Sequence, residues 1–142
     1  MTPQQPGPCG QCPRVASGFV LVVDDDEHMR RAFNRILTHT GYRVVVAVNA
    51  RSALDELHAG HLPCAILLDL EMPIMDGWKF LMERQRDTTL WRIPVALVSG
   101  SIDKRALALD AECHLAKPFD ANQLLATVQR CCAIRNEREP SV

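Results

Sequence analysis

No sign of charge dominates this chain: 16 Lys and Arg stand against 17 Asp and Glu, a formal net charge of −1. Without a basic face or an arginine-rich arm, the electrostatic argument for nucleic-acid binding is missing. No stretch approaches the ~18 consecutive apolar residues of a membrane span. The start, Met1 to Cys12, is Pro, Gln and Gly instead of a basic patch followed by an apolar segment. The expectation is a cytoplasmic protein that binds neither nucleic acid nor membrane. The six cysteines lack the company that would make them ligands or redox centres. Cys9 and Cys12 form an isolated CxxC among Pro6, Pro8, Gly10 and Pro13, with no second pair for zinc and no helix to open as in a thioredoxin-like motif. Cys64 and Cys113 sit in strand-like apolar runs, and Cys131 and Cys132 end a helical pattern, so buried reduced thiols are expected.

What is present is ordinary globular material: 142 residues, 47% hydrophobic and 23% charged, enough for one domain with a real core. Residues 1–17 are expected to form a disordered Pro/Gly-rich tail, 18–132 the folded domain, and 133–142 a short charged tail. Within the domain, strands and helices alternate. Phe19 to Val23 reads as a strand, followed by a helix with Met29, Phe33, Ile36 and Leu37 at helical spacing and a stop at Gly41. Tyr42 to Val48 is a β-branched second strand; Ala50, Ala53, Leu54 and Leu57 mark a second helix ended by Gly60 and Pro63. Cys64 to Leu70 is the third strand, and a loop with Pro73 and Gly77 leads to a third helix through Phe80, Leu81 and Arg84. Ile93 to Val98 is the fourth strand, a weaker fourth helix covers about 103–109, and Cys113 to Ala116 is the fifth strand. Asp120 is a candidate N-cap for a last helix with Leu124, Leu125, Val128 and Cys131 on one face. Five βα units with right-handed crossovers predict a doubly wound, flavodoxin-like α/β fold, a five-stranded parallel sheet in the order 2-1-3-4-5.

Four of the apolar runs end on chemistry-bearing residues: Asp24 and Asp25, then Asp69, Ser99 and Lys117. In an open parallel sheet, ligands bind outside the carboxyl ends of the strands, at the switch point, which in this order lies between strands one and three. Three carboxylates, a hydroxyl and an ammonium should therefore gather on one edge. Carboxylates that close repel unless a cation joins them, and a hard oxygen site with few protein ligands suits Mg²⁺, which keeps waters and recruits phosphate oxygens. Singly, Asp24 and Asp25 could serve only to cap a helix, Asp69 to make a turn with Pro73 and Gly77, and Lys117 to carry a solvated charge. Those readings do not explain why all four strands end this way together. The pattern predicts phosphoryl chemistry on an aspartate.

Over Phe19 to about Cys132, the residues resemble the receiver domain of two-component response regulators. The resemblance rests on Val22-Val23-Asp24-Asp25, on Leu68-Asp69-Leu70-Glu71-Met72-Pro73 with Met75-Asp76-Gly77, on Pro94-Val95 through Ser99-Gly100, and on Lys117-Pro118-Phe119. It implies that Asp69 is the phosphoacceptor, a carboxylate nucleophile that takes a phosphoryl group from a phosphohistidine. It implies that Asp25, Asp24, Asp69 and the backbone carbonyl of Glu71 hold Mg²⁺, and that Ser99 and Lys117 bind the phosphoryl oxygens. A cis bond before Pro118 is also implied, as is a tuning role for Glu71 and Ser101. His114 takes the place of an aromatic switch residue.

The implied partners are a histidine kinase or histidine phosphotransfer protein, and a downstream protein read through the face of the fourth helix, fifth strand and fifth helix, as monomer or phosphorylation-dependent homodimer. With only Ala133 to Val142 after the last helix, a stand-alone receiver is expected, with no enzymatic activity beyond self-phosphotransfer and slow autodephosphorylation. Two rivals stand beside it. A haloacid dehalogenase-like phosphohydrolase would want Asp at the place of Glu71 and its acidic pair late in the chain. A degenerate receiver acting only as a binding module would have lost the aspartate or the lysine, and both are kept.

Overall fold

The apolar runs become strands because each is short, β-branched and bounded by turn residues, and each has both faces to bury. In the computed structural model, which describes residues 19–71, 76–100 and 111–138, they are β1 (Phe19–Val23), β2 (Arg43–Ala47), β3 (Ala65–Asp69), β4 (Val95–Ser99) and β5 (Cys113–Ala116). All pair in parallel, in the order β2-β1-β3-β4-β5. The helices are α1 (Glu27–His39), α2 (Ala50–His58), α3 (Asp76–Arg86) and a C-terminal helix (Ala121–Arg138), with a short 3₁₀ turn at Leu90–Arg92. The helix expected over 103–109, the CxxC at Cys9 and Cys12, Ser101, and the Met72-Pro73 and Met75 part of the acidic loop lie outside the described residues.

Alternation along the strands divides the core into two layers. Val20, Val22, Leu67, Val98 and Leu115 face α1 and the C-terminal helix, meeting Phe33, Leu37, Leu124 and Val128. Leu21, Val23, Ile66, Leu68 and Leu97 face α2 and α3, meeting Ala53, Leu57, Phe80 and Leu81. Cys64, Cys113, Cys131 and Cys132 are buried in the first layer, as expected, with the Cys132 thiol against that of Cys64 and the Cys131 thiol against that of Cys113. Gly41 closes α1 at a φ of 103°, a left-handed conformation that glycine adopts without a Cβ clash.

β2 and β3 are each one residue shorter at both ends than the sequence reading, and two larger differences have a visible cause. β4 begins at Val95 instead of Ile93, because Pro94 has no N–H to place in a ladder, although its carbonyl still accepts from Ile66 at 3.0 Å. The C-terminal helix runs to Arg138, so the domain edge expected at 132 falls inside it. Its late arginines look like a solvated tail in sequence but are anchored by tertiary contacts. Arg135 is buried and its Nε donates to the Pro63 carbonyl at 3.3 Å. Arg138 lies over the Trp91 ring, 4.9 Å from its centroid, and pairs with Glu112 at 2.7 Å. Glu112 also holds the buried Arg84 at 2.7 Å and accepts from the Val95 N–H at 2.8 Å, which ties α3, β4, β5 and the C-terminal helix into one network. Long stems covering apolar surface while their heads reach a backbone carbonyl or a carboxylate explain the extension.

Asp120 is the predicted cap. Its carboxylate accepts from the Gln123 N–H at 2.7 Å, and Gln123 returns the bond to the Asp120 N–H at 2.9 Å, a reciprocal capping box. Asp120→Ala is expected to lower stability by about 1 kcal/mol, read from the midpoint of urea unfolding; an unchanged midpoint would show that the helix start is held by its packing alone.

Candidate functional site

The register places the strand ends side by side. Val23 of β1 pairs with Leu68 of β3, and Asp69 pairs with Val98 of β4, while Ser99 pairs with Ala116 of β5. Each residue that follows or closes those strands therefore lands on one edge. Carboxylate oxygens of Asp24, Asp25 and Asp69 lie within 4.8 Å of one another. Lys117 Nζ stands 3.3 Å from Asp69 Oδ1, and its backbone N–H donates to the Ser99 carbonyl at 2.8 Å. Lys117–Pro118 is a cis peptide bond, as the resemblance implied.

Three consecutive aspartates divide the work. Asp26, not the pair before it, caps α1: its side chain accepts from the His28 N–H at 2.9 Å. Asp24 supports that turn with one oxygen, Oδ1, which accepts from the Asp26 N–H at 2.9 Å, and its carbonyl accepts from Arg30 at 2.9 Å. Its other oxygen, Oδ2, is buried without a hydrogen-bond partner. Asp25 is exposed at the rim. Burial, reinforced by the nearby Asp69 charge, pushes the Asp24 carboxyl up to about 7, even though the Asp26 N–H and Lys117 pull the other way. A buried carboxylate oxygen with no donor, facing two further carboxylates, is what a bound cation would satisfy. The all-oxygen, acidic donor set fits a small hard divalent ion such as Mg²⁺.

Asp69 is buried, with 4% of its surface exposed, and its Oδ1 accepts from the Glu71 N–H at 2.9 Å as well as from Lys117. The Asp69 and Glu71 carboxylates hold the Lys117 ammonium above its ordinary range, against the opposing effect of its partial burial. Ser99 is buried at the end of β4. All of Asp24, Asp25, Asp69, Ser99 and Lys117 thus share one edge. His114 does not join them: it is exposed on β5, in a shallow concavity lined by Glu112, Cys113, Ala126, Thr127 and Arg130.

Two participants were not foreseen in these positions. The Glu71 side chain, expected to matter through its carbonyl and as a tuning position, lies across the site with Oε1 3.2 Å from Lys117 Nζ. Its Oε2 accepts from the Gly100 N–H. These contacts, the Gly100 bond foremost, hold its carboxyl below the usual range. The Gly100 amide carries no side-chain signal for sequence reading to find.

The profile of the response regulator receiver domain matches residues 20–129. The response regulator MprA of Mycolicibacterium vanbaalenii is 38% identical over 114 residues, 78% of this chain and 48% of that protein. Response regulator Rre1 of Synechocystis is 33% identical over 119 residues, 80% of this chain and 51% of that protein. This chain spans about half the length of those curated relatives. Among solved structures, the signal receiver domain of a signal transduction histidine kinase from Syntrophus aciditrophicus superposes with a TM-score of 0.76 at 29% identity, covering 88% of this chain and 96% of that one. Chemotaxis protein CheY4 of Vibrio cholerae gives 0.71 at 28% identity, covering 80% and 98%.

Proposed function

Because the chain belongs to the response regulator receiver domain family, we propose that it is a signalling switch operated by phosphorylation of Asp69. One observation carries the reading: a buried Asp69 carboxylate lies within reach of Lys117 and beside the Asp24 and Asp25 carboxylates, on one sheet edge. An Asp69 oxygen attacks the phosphorus of a phosphohistidine on a histidine kinase or histidine phosphotransfer protein. The P–N bond breaks, an acyl phosphate forms, and the imidazole leaves with a proton.

Asp24, Asp25, Asp69 and the Glu71 carbonyl would hold Mg²⁺, which neutralises charge on the phosphoryl oxygens when bound. Lys117 draws a phosphoryl oxygen by charge, and the Ser99 hydroxyl donates to another. The phosphoryl group brings roughly −1.5 to −2 charge, and the pull on Ser99 and Lys117 shifts β4 and β5. The output surface is the β5 face with His114, the C-terminal helix and the helix expected over 103–109. A downstream protein, or a second copy of the chain, reads that face. The proposed setting is the cytoplasm; among the described residues no helix is long and apolar enough to cross a membrane. The chain is proposed to catalyse only its own phosphorylation and slow dephosphorylation.

Incubation with Mg²⁺ and acetyl phosphate tests this. Intact mass is expected to rise by one phosphoryl group per chain, with a change in Trp78 or Trp91 fluorescence on adding beryllofluoride, and both are expected to vanish in excess chelator. Rapid multiple turnover of a phosphomonoester without a stable adduct would replace the switch by a phosphohydrolase. No adduct under any donor would leave a binding module.

A further inference from the structure

We propose that the Glu71 carboxylate is a built-in anion that occupies the phosphoryl-binding cradle of the resting protein and must leave before a phosphoryl group on Asp69 can take its place. The inference rests on Asp69 being the phosphoacceptor. Glu71 follows Asp69 by two residues, and the turn between them is closed by its own N–H bonded to Asp69 Oδ1 at 2.9 Å. That turn points its side chain back over the site. Oε1 takes the Lys117 ammonium at 3.2 Å, while Asp69 shares the same ammonium at 3.3 Å. Oε2 takes the Gly100 N–H, the first backbone donor past the end of β4.

A phosphoryl group on Asp69 needs the same donors. Its peripheral oxygens seek a cation, an ammonium and N–H or O–H groups around the acceptor carboxylate. Glu71 already satisfies two of them. It cannot remain there beside a group of roughly −1.5 to −2 charge, since like charges at such separations repel strongly in a partly buried setting. Departure is open to it, because the side chain is 48% exposed and can turn into solvent without opening a cavity.

The fit over Gly100 gives a second handle. A Cβ built on Gly100 would stand 2.6 Å from Glu71 Oε2, and its three nearest neighbours would all be atoms of the Glu71 carboxylate group. Gly100 thus provides the open floor on which the carboxylate rests. A methyl group there would push the carboxylate off its N–H donor while leaving the charge in the protein.

Glu71 therefore competes with the phosphoryl group in the unmodified state, and its release on phosphorylation frees the end of β4 to move. The competition resists phosphorylation and quickens return to the resting state.

Two measurements on the full chain test the inference. In metal-free protein, the Gly100 backbone amide is expected to shift upfield in the proton dimension in Glu71→Ala, because it loses a charge-assisted bond; an unmoved amide would overturn the resting contact. In Mg²⁺, beryllofluoride titration followed by Trp fluorescence or amide shifts is expected to give about tenfold tighter binding for Glu71→Ala, equivalent to ~1.4 kcal/mol. Gly100→Ala is expected to move in the same direction by a smaller factor, with thermal unfolding confirming that both variants fold. Equal or weaker binding by Glu71→Ala, with wild type binding normally, would overturn the competition alone. Failure of wild type itself to bind beryllofluoride would overturn the Asp69 reading and this inference with it.

Discussion

Asp69→Asn is expected to gain no phosphoryl mass from acetyl phosphate and Mg²⁺, under conditions in which the wild-type chain is modified once. The substitution preserves shape, so Asn can still accept from the Glu71 N–H that now bonds Asp69 at 2.9 Å. What it loses is the anionic oxygen proposed to attack phosphorus, since a neutral amide is a poor nucleophile and its phosphoryl adduct does not form. It also removes one of three carboxylates whose oxygens lie within 4.8 Å of one another, so the metal-free variant should unfold no earlier than wild type. That stability check separates loss of chemistry from loss of fold. Phosphoryl mass that persists in Asp69→Asn would put the acceptor elsewhere, with Asp24, Asp25 and Glu71 the neighbours to map by peptide mass.

In chelator at pH 8, Asp24→Asn is expected to be more stable than wild type, and in saturating Mg²⁺ the order is expected to reverse. The Asp24 carboxyl is raised from 3.8 to about 7 by burial and by the Asp69 charge beside it. The folded protein therefore holds a proton on this carboxyl that the unfolded chain has released by pH 5. In the metal-free protein the contribution of Asp24 is unpenalised below pH ~4 and falls as pH rises toward 7, levelling off above it. At pH 8 the burial of an unpaired charge then costs roughly 2–4 kcal/mol. Asparagine removes that cost and flattens the profile. Magnesium is expected to reverse the comparison because binding to the native state stabilises it by mass action, and the variant lacks one of the proposed ligands. Chemical unfolding across pH 4–8, with and without Mg²⁺, measures all four corners. A variant less stable than wild type in chelator at pH 8 would mean that Asp24 is held by donors other than a cation.

The distinction between the roles proposed for these two carboxylates, a nucleophile beside an ammonium and a buried metal ligand, arises from a few ångströms of placement. Asp69 closes β3 and faces Lys117. Asp24 follows β1, and one of its two oxygens is committed to the Asp26 N–H. The remaining oxygen has no protein donor, and that asymmetry suits the proposed cation better than a second hydrogen-bonded turn.

The sequence by itself determined the architecture and the convergence of Asp24, Asp25, Asp69, Ser99 and Lys117. Strand ends are written locally, in short apolar runs stopped by turn residues, and the right-handed parallel crossover leaves few ways to order five such strands. Once the order is known, residues that end β1, β3, β4 and β5 must share an edge. The tertiary structure alone decided which of Asp24, Asp25 and Asp26 caps α1, that the arginines after Cys132 continue a helix, and that Glu71 reaches Gly100 and Lys117. The last two outcomes depend on pairings 26 to 72 residues apart, such as Arg138 with Glu112, Arg135 with Pro63 and Glu71 with Gly100, whereas the cap on α1 is a local bond from the His28 N–H to Asp26. A side chain's partner across such separations depends on where packed elements bring backbone N–H and carbonyl groups, and that placement leaves no trace in local periodicity or composition.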